Sequence, residues 1–119
     1  MGTTDALKIF IESDEIPWEQ VAPGMKRKIM AWDDRLMLVR VAFDKGAIGM
    51  LHQHPHTQIT HVESGSFEVT IGNEMKVLTA GDAFYIPPNA LHGALCLQEG
   101  VLIDVFSPMR EDFIKHTGQ

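Results

Sequence analysis

The segment HQHPHTQ, residues 52–58, sets His52, His54, His56 and Gln58 at alternate positions. In an extended chain, side chains two apart point to the same face. Three imidazoles and an amide therefore gather on one side of a short stretch. Buried polar groups require partners, and a metal ion satisfies several at once. Pro55 interrupts strand pairing, so the alternation does not run unbroken, and one of the three histidines is expected to stand outside any ligand set.

On either side of this segment, short apolar or alternating runs recur, each closed by turn residues. They are LKIFI (7–11), KRKIMAW (26–32), RLMLVRVAF (35–43), TQITHVE (57–63), SFEVTI (66–71), MKVL (75–78), AFYI (83–86), GALCL (93–97) and VLIDVF (101–106). Gly72-Asn73 between two such runs is a two-residue hairpin signal. Closely spaced short strands with this turn chemistry predict an all-β barrel or sandwich, and closing the barrel removes the edges that so many strands expose. ESDEIPW holds a turn, and MREDFIKH (109–116) is the one segment that reads as a short helix.

The 119 residues fit one domain, 1–119, with its core at about 35–108. A net charge of −6 offers no basic footprint, so neither nucleic acid nor an acidic membrane surface is an expected partner. An anionic small molecule stays open, because a local cation outweighs a diffuse negative field. The single cysteine, Cys96, forms no intramolecular disulfide and fits a reducing compartment. No secretory or myristoylation pattern opens the chain and no apolar run approaches membrane-spanning length, so the expected location is the cytoplasm. Apolar outer strand faces predict a homodimer.

The spacing around the histidines is more specific. Gly46 is followed by His52, His54, Gln58 and Gly65; further on, Gly81 is followed by Pro87, Asn89 and His92. This resembles the two-part signature of the cupin superfamily. The resemblance implies a single-domain double-stranded β-helix (jelly-roll) barrel with metal-ligand roles on His52, His54, Gln58 and His92. It leaves His56 out. Three positions depart from the pattern: Gln58 stands for a glutamate, Asn89 for a glycine and Cys96 for an asparagine. Three imidazoles and an amide suit one divalent transition metal, nickel or zinc ahead of iron or manganese, better than calcium or magnesium. With four neutral ligands the ion keeps its full double charge. That makes it a stronger Lewis acid and a better seat for an anion than a glutamate-bearing site, and it favours isomerase or lyase chemistry over oxygen chemistry.

The second constellation is VLIDVFSPMRED (101–112). Alternation puts Leu102, Asp104 and Phe106 on one face. An aspartate there is either an edge residue facing water or a partly desolvated proton carrier with a raised pKa. Arg110 suits a carboxylate, although by spacing alone a solvated surface charge or a salt bridge with Glu111 or Asp112 is the simpler account. Three segments, IPWEQVAPGMKRKIMAWDDRLMLVRVAFDKGAIGMLHQHPHTQITHVESGSFEVTIG, AGDAFYIPPNALHG and EGVLIDVFSPMREDF, are similar to the KdgF-type pectin-degradation cupins from about residue 14 to 114. That resemblance implies linearisation of Δ4,5-unsaturated monouronates, with catalytic roles on Asp104, Phe106 and Arg110. The competing expectations are another metal-dependent cupin enzyme (a dioxygenase or sugar isomerase), a sugar-sensing module, and a metal-free structural cupin. A sensor of this kind carries a DNA-binding helical domain, for which 119 residues leave no room. Among weaker candidates, Gln53, His61 and His116 read as structural or solvated. Trp18 and Trp32 are expected to pack a core or dimer contact, and Tyr85 to reach the cavity or pack.

Overall fold

Two strands are far longer than the runs that the sequence marks out. The computed structural model describes residues 8–117, the last three by backbone alone. After a 3-10 turn at Ser13–Glu15 come β1 (Glu19–Ala22), β2 (Met25–Trp32), β3 (Met37–Phe43), β4 (Ile48–His52), β5 (Thr57–Ile71), β6 (Glu74–Thr79), β7 (Ala83–Ile86), β8 (His92–Ser107) and the helix α1 (Glu111–Thr117). The expected pairs 57–63 with 66–71 and 93–97 with 101–106 are each one bent strand, β5 and β8. LKIFI forms no strand over its described residues, and β1 and β4 are strands that the sequence reading did not mark.

All pairings are antiparallel, and β5 and β8 pair along almost their whole lengths. Their outer halves build one leaf, in the order β1-β2-β3-β8-β5-β7; their other halves build a second, β4-β8-β5-β6. The result is a jelly roll in which a single sheet folds over on itself.

The fold-over occurs where Gly65 on β5 crosses Gly100 on β8. Gly65 has φ of 83°, and a Cβ there would lie 2.5 Å from the Glu99 carbonyl oxygen; one on Gly100 would overlap the Ser64 carbonyl. Only glycine fits both positions. Gly65→Ala is expected to lower stability by on the order of 1–3 kcal/mol from the backbone conformation alone, and more from the overlap. Urea denaturation measures the loss, and an unchanged midpoint would remove this crossing from the account of the bend.

The inner face is built from alternation. On β3, Met37, Val39, Val41 and Phe43 point inward and are buried, and they pack with Val62, Phe67, Val69, Leu102 and Phe106. Phe43 and Phe67 meet edge to face at 5.1 Å. Cys96 is buried in this core, where burial raises its thiol pKa, so the residue standing for the pattern's asparagine acts as an apolar filler. Trp32 packs against the core as expected, but Trp18 does not: its ring lies under the Lys26 and Lys28 ammonium groups, at 5.0 and 4.8 Å. Lys28 also donates to the Ser13 carbonyl at 2.7 Å, which ties the N-terminal segment to β2.

Candidate active site

His52 ends β4 and His92 opens β8, and the two are cross-strand partners at one mouth of the barrel. His54 follows in the loop that Pro55 enforces. Gln58 is the second residue of β5. The four are therefore brought together by three strands and a loop, and not by one unbroken strand as the alternation at 52–58 implies. Pro55 offers no ladder donor, so the chain leaves the sheet after His52 and re-enters at Thr57. The ligating nitrogens of His52, His54 and His92 lie within 4.8 Å of one another. Asn89, at φ 67°, takes the left-handed turn that its glycine counterpart would take.

The hydrogen bonds determine which ring atoms face inward. Nδ1 of His52 meets the Met50 carbonyl at 2.9 Å, that of His92 the Ala90 carbonyl at 2.9 Å, and that of His54 the His56 carbonyl at 3.2 Å. A carbonyl only accepts, so a proton on Nδ1 satisfies each of these contacts and leaves the Nε2 lone pair free. Gln58 is oriented by the same logic. Its Nε2 donates to Thr60 Oγ1 at 2.8 Å, which leaves Oε1 facing His54 Nε2 at 3.0 Å. His54 thus has an oxygen acceptor at each ring nitrogen, at 3.2 Å from Nδ1 and 3.0 Å from Nε2, and a neutral ring satisfies one of them at a time; a cation taken up at Nε2 and Oε1 would use the tautomer with its proton on Nδ1. A second proton is disfavoured: burial, then the Arg110 charge, holds His54 below its ordinary pKa, and burial lowers His92 to about 4. The donor set thus fits a divalent transition metal held by His52, His54 and His92, with Gln58 Oε1 beside them.

Asp104 faces the cavity from near the C-terminal end of β8, flanked by Val39 and Thr60 on its neighbours. Thr60 Oγ1 donates to its Oδ1 at 2.7 Å, and Gln58 Nε2 lies 3.4 Å away. Gln58, Thr60 and Asp104 therefore form one hydrogen-bonded chain from the metal donors to the carboxyl. Desolvation raises the Asp104 pKa to about 6, against the opposing pull of Thr60, Arg110 and Gln58.

The cavity has a volume of about 220 Å³ and is lined by His52, His92, Gln58, Asp104, Phe106 and Arg110 among mainly apolar neighbours. That is below the roughly 300–1,000 Å³ typical of drug-sized ligands, so a single ring fits better than an oligomer. Arg110 makes the salt bridge that spacing suggested and also reaches the cavity. It grips Asp112 with two bonds, Nε to Oδ1 at 3.0 Å and Nη2 to Oδ2 at 2.7 Å, and it lines the cavity above the Phe106 ring at 5.1 Å. His56 does not line this cavity. It stacks edge-on against His54 at 5.4 Å with a buried Nδ1 that has no partner among the described residues. Tyr85 lies on the outside, 55% exposed. Gln53 and His61 are exposed, and the His116 side chain lies outside the described residues.

Arg27 is a charged cavity residue that sequence reasoning missed. It lies within the basic run Lys26-Arg27-Lys28, which reads as a solvated face. The available signal was alternation, which groups Arg27 with Met25 and Ile29.

The family model described as a cupin domain matches residues 39–106. The chain is a cupin. Over 109 residues this cupin is 52% identical to the pectin degradation protein KdgF of Dickeya dadantii, a span covering 90% of the present chain and 98% of that protein. Its structure superposes on an RmlC-like cupin from Shewanella frigidimarina with a TM-score of 0.88 at 43% identity, covering 92% of this chain and 98% of that one. For KdgF from Halomonas sp. the TM-score is 0.86 at 44% identity, covering 89% and 98%. Among the described residues no helix is long and apolar enough to cross a membrane.

Proposed function

We propose that this cupin is a metal-dependent enzyme of pectin or alginate breakdown that linearises Δ4,5-unsaturated monouronates to 5-keto-4-deoxyuronates. The observation that carries this reading is the chain Gln58–Thr60–Asp104, which joins a set of candidate metal donors to a single desolvated carboxyl across one ring-sized cavity. The likeness to KdgF, named for pectin degradation, supports the same reading.

The substrate is a cyclic enol ether with a hemiacetal at C1 and a carboxylate on C5. Ring opening removes the C1 hydroxyl proton, breaks the bond from C1 to the ring oxygen and leaves an aldehyde and an enol. Moving one proton to C4 and taking the enol proton completes the ketone, so atoms balance without a co-reactant. Asp104 is proposed to accept and return that proton, a role supported by the desolvation that raises its pKa to about 6. Arg110 is proposed to hold the carboxylate with the N–H groups that Asp112 leaves free, and Phe106 to pack against the ring. A divalent ion at His52, His54, Gln58 and His92, nickel or zinc ahead of iron or manganese, supplies Lewis acidity for negative charge on a substrate oxygen.

The direct test is ultraviolet absorbance. Purified protein is expected to abolish the absorbance of the conjugated C4=C5 bond of an unsaturated monouronate, and to lose that activity with chelator. Persistent absorbance under every metal tried rules the reaction out. Gln58→Glu tests the charge argument. A carboxylate at position 58 reduces the site's net charge by one, so uronate KM is expected to rise by about tenfold or more, from a charge interaction worth at least ~1.4 kcal/mol in a poorly solvated site. Equal uronate affinity in that variant refutes the role assigned to four neutral donors. The chain is further proposed to act as one domain over residues 1–119, in the cytoplasm, as a homodimer.

A further inference from the structure

The three consecutive cations of β2 do not share a face. Lys26 and Lys28 lie over Trp18 on the outside. Arg27 pairs with Val41, Val41 with Leu102, and Leu102 with Val62. Cross-strand partners share a face, and all three of those side chains are buried. Arg27 therefore extends into the barrel, and its side chain is 12% exposed. A guanidinium on an apolar inner row is costly unless its donors are used.

Most of its donors are not. The Arg27 acceptor among the described residues is Glu19, reached from Nε at 3.1 Å, and this carboxylate sits at the rim with its side chain 34% exposed. Neither Nη1 nor Nη2 has a protein acceptor among the described residues, although Arg27 lines the cavity. The Phe113 ring of α1 lies 3.9 Å from the Arg27 guanidinium carbon and 4.3 Å from that of Arg110. A ring face attracts both cations but accepts none of their in-plane N–H groups. Two guanidiniums are thus held beside one aromatic ring, each bonded to a rim carboxylate and each with other N–H groups that have no protein acceptor among the described residues.

We propose that Arg27 is a second carboxylate-binding residue of the cavity, sharing with Arg110 the acid group of a sugar acid. This rests on the uronate reading above and adds a recognition residue to it. Charge-assisted bonds from two planar forks select a carboxylate over a neutral group of the same shape.

Calorimetry on metal-loaded protein, with D-galacturonate and its neutral amide as probes, tests the assignment. Wild type is expected to prefer the acid. Arg27→Gln is expected to weaken acid binding by about 10–100-fold while amide binding stays within about threefold, as for loss of bonds to a charged group. Arg27→Lys keeps the charge but not the fork, and its acid affinity is expected to fall in between; it decides the matter if the glutamine variant does not fold. Acid and amide weakening together indicates a purely structural stack on Phe113 and overturns the proposal. So does an unchanged acid affinity, or a wild type without acid preference. The turnover assay is separate: absorbance loss with unaltered KM in Arg27→Gln retains the reaction and discards this residue. Acid preference dependent on Arg27 without turnover does the reverse.

Discussion

Asp104→Asn is expected to reduce turnover of an unsaturated monouronate by about 10²–10⁴-fold, the range over which a positioned acid–base group contributes. The metal donors are untouched by the change, so metal content measured on the purified variant should match wild type. An asparagine still accepts the Thr60 hydrogen bond made at 2.7 Å, which keeps the chain to Gln58 in place while removing the proton carrier. Near-normal turnover would take Asp104 out of the proton path, whereas lost metal would show that the variant tests something else. A second readout follows from desolvation of the carboxyl. In metal-free protein the fold raises the Asp104 pKa from 3.8 to about 6, so the folded state holds its proton more tightly than the unfolded chain. Wild-type stability from this group is present at low pH and falls as pH rises from about 4 through 6. The permanently neutral variant escapes that loss. Its metal-free melting temperature should exceed wild type at pH 8, and the gain should vanish near pH 4.

The other large effect is expected at the donor set. His92→Ala removes one of three converging Nε2 lone pairs and leaves His52 without its cross-strand partner. Metal content is expected to fall below stoichiometry. Turnover is expected to fall by about 10³-fold or more, since Lewis-acid stabilisation is worth several kcal/mol at tenfold per 1.4. Chelator-treated wild type should show the same deficit and recover when nickel or zinc is returned. The alanine variant should not recover at the same concentration. Full turnover in chelated protein would end the metal-dependent reading while leaving the fold untouched.

These two variants address residues that sequence spacing marked, and the manner in which each was marked differs. Asp104 was legible because an aspartate inside VLIDVF breaks an apolar alternation, and alternation is what a half-buried strand preserves. His52, His54, Gln58 and His92 were legible through spacing and resemblance, but the strand geometry invoked for 52–58 was not how they meet. Pro55 ejects the chain from the sheet, and the four donors converge because β4, β5 and β8 lie side by side. The fusion of four runs into β5 and β8 was hidden for a related reason. Ser64-Gly65 reads locally as a turn and residues 98–100 fall between two apolar runs, yet here Gly65 and Gly100 each admit a close backbone crossing inside a continuing strand.

Sequence by itself pointed to an all-β barrel or sandwich and to the shared face of Leu102, Asp104 and Phe106, because residue period reports which side chains share a face; the resemblance to cupins added the jelly roll and the candidate metal donors. Only the tertiary structure decided that Tyr85 faces out, that Trp18 lies under two lysines, and that Arg27 enters the cavity beside Phe113. A charged residue in a basic run has no intrinsic preference for one face. The register of β2 against β3 assigns it, and register is a property of two strands together.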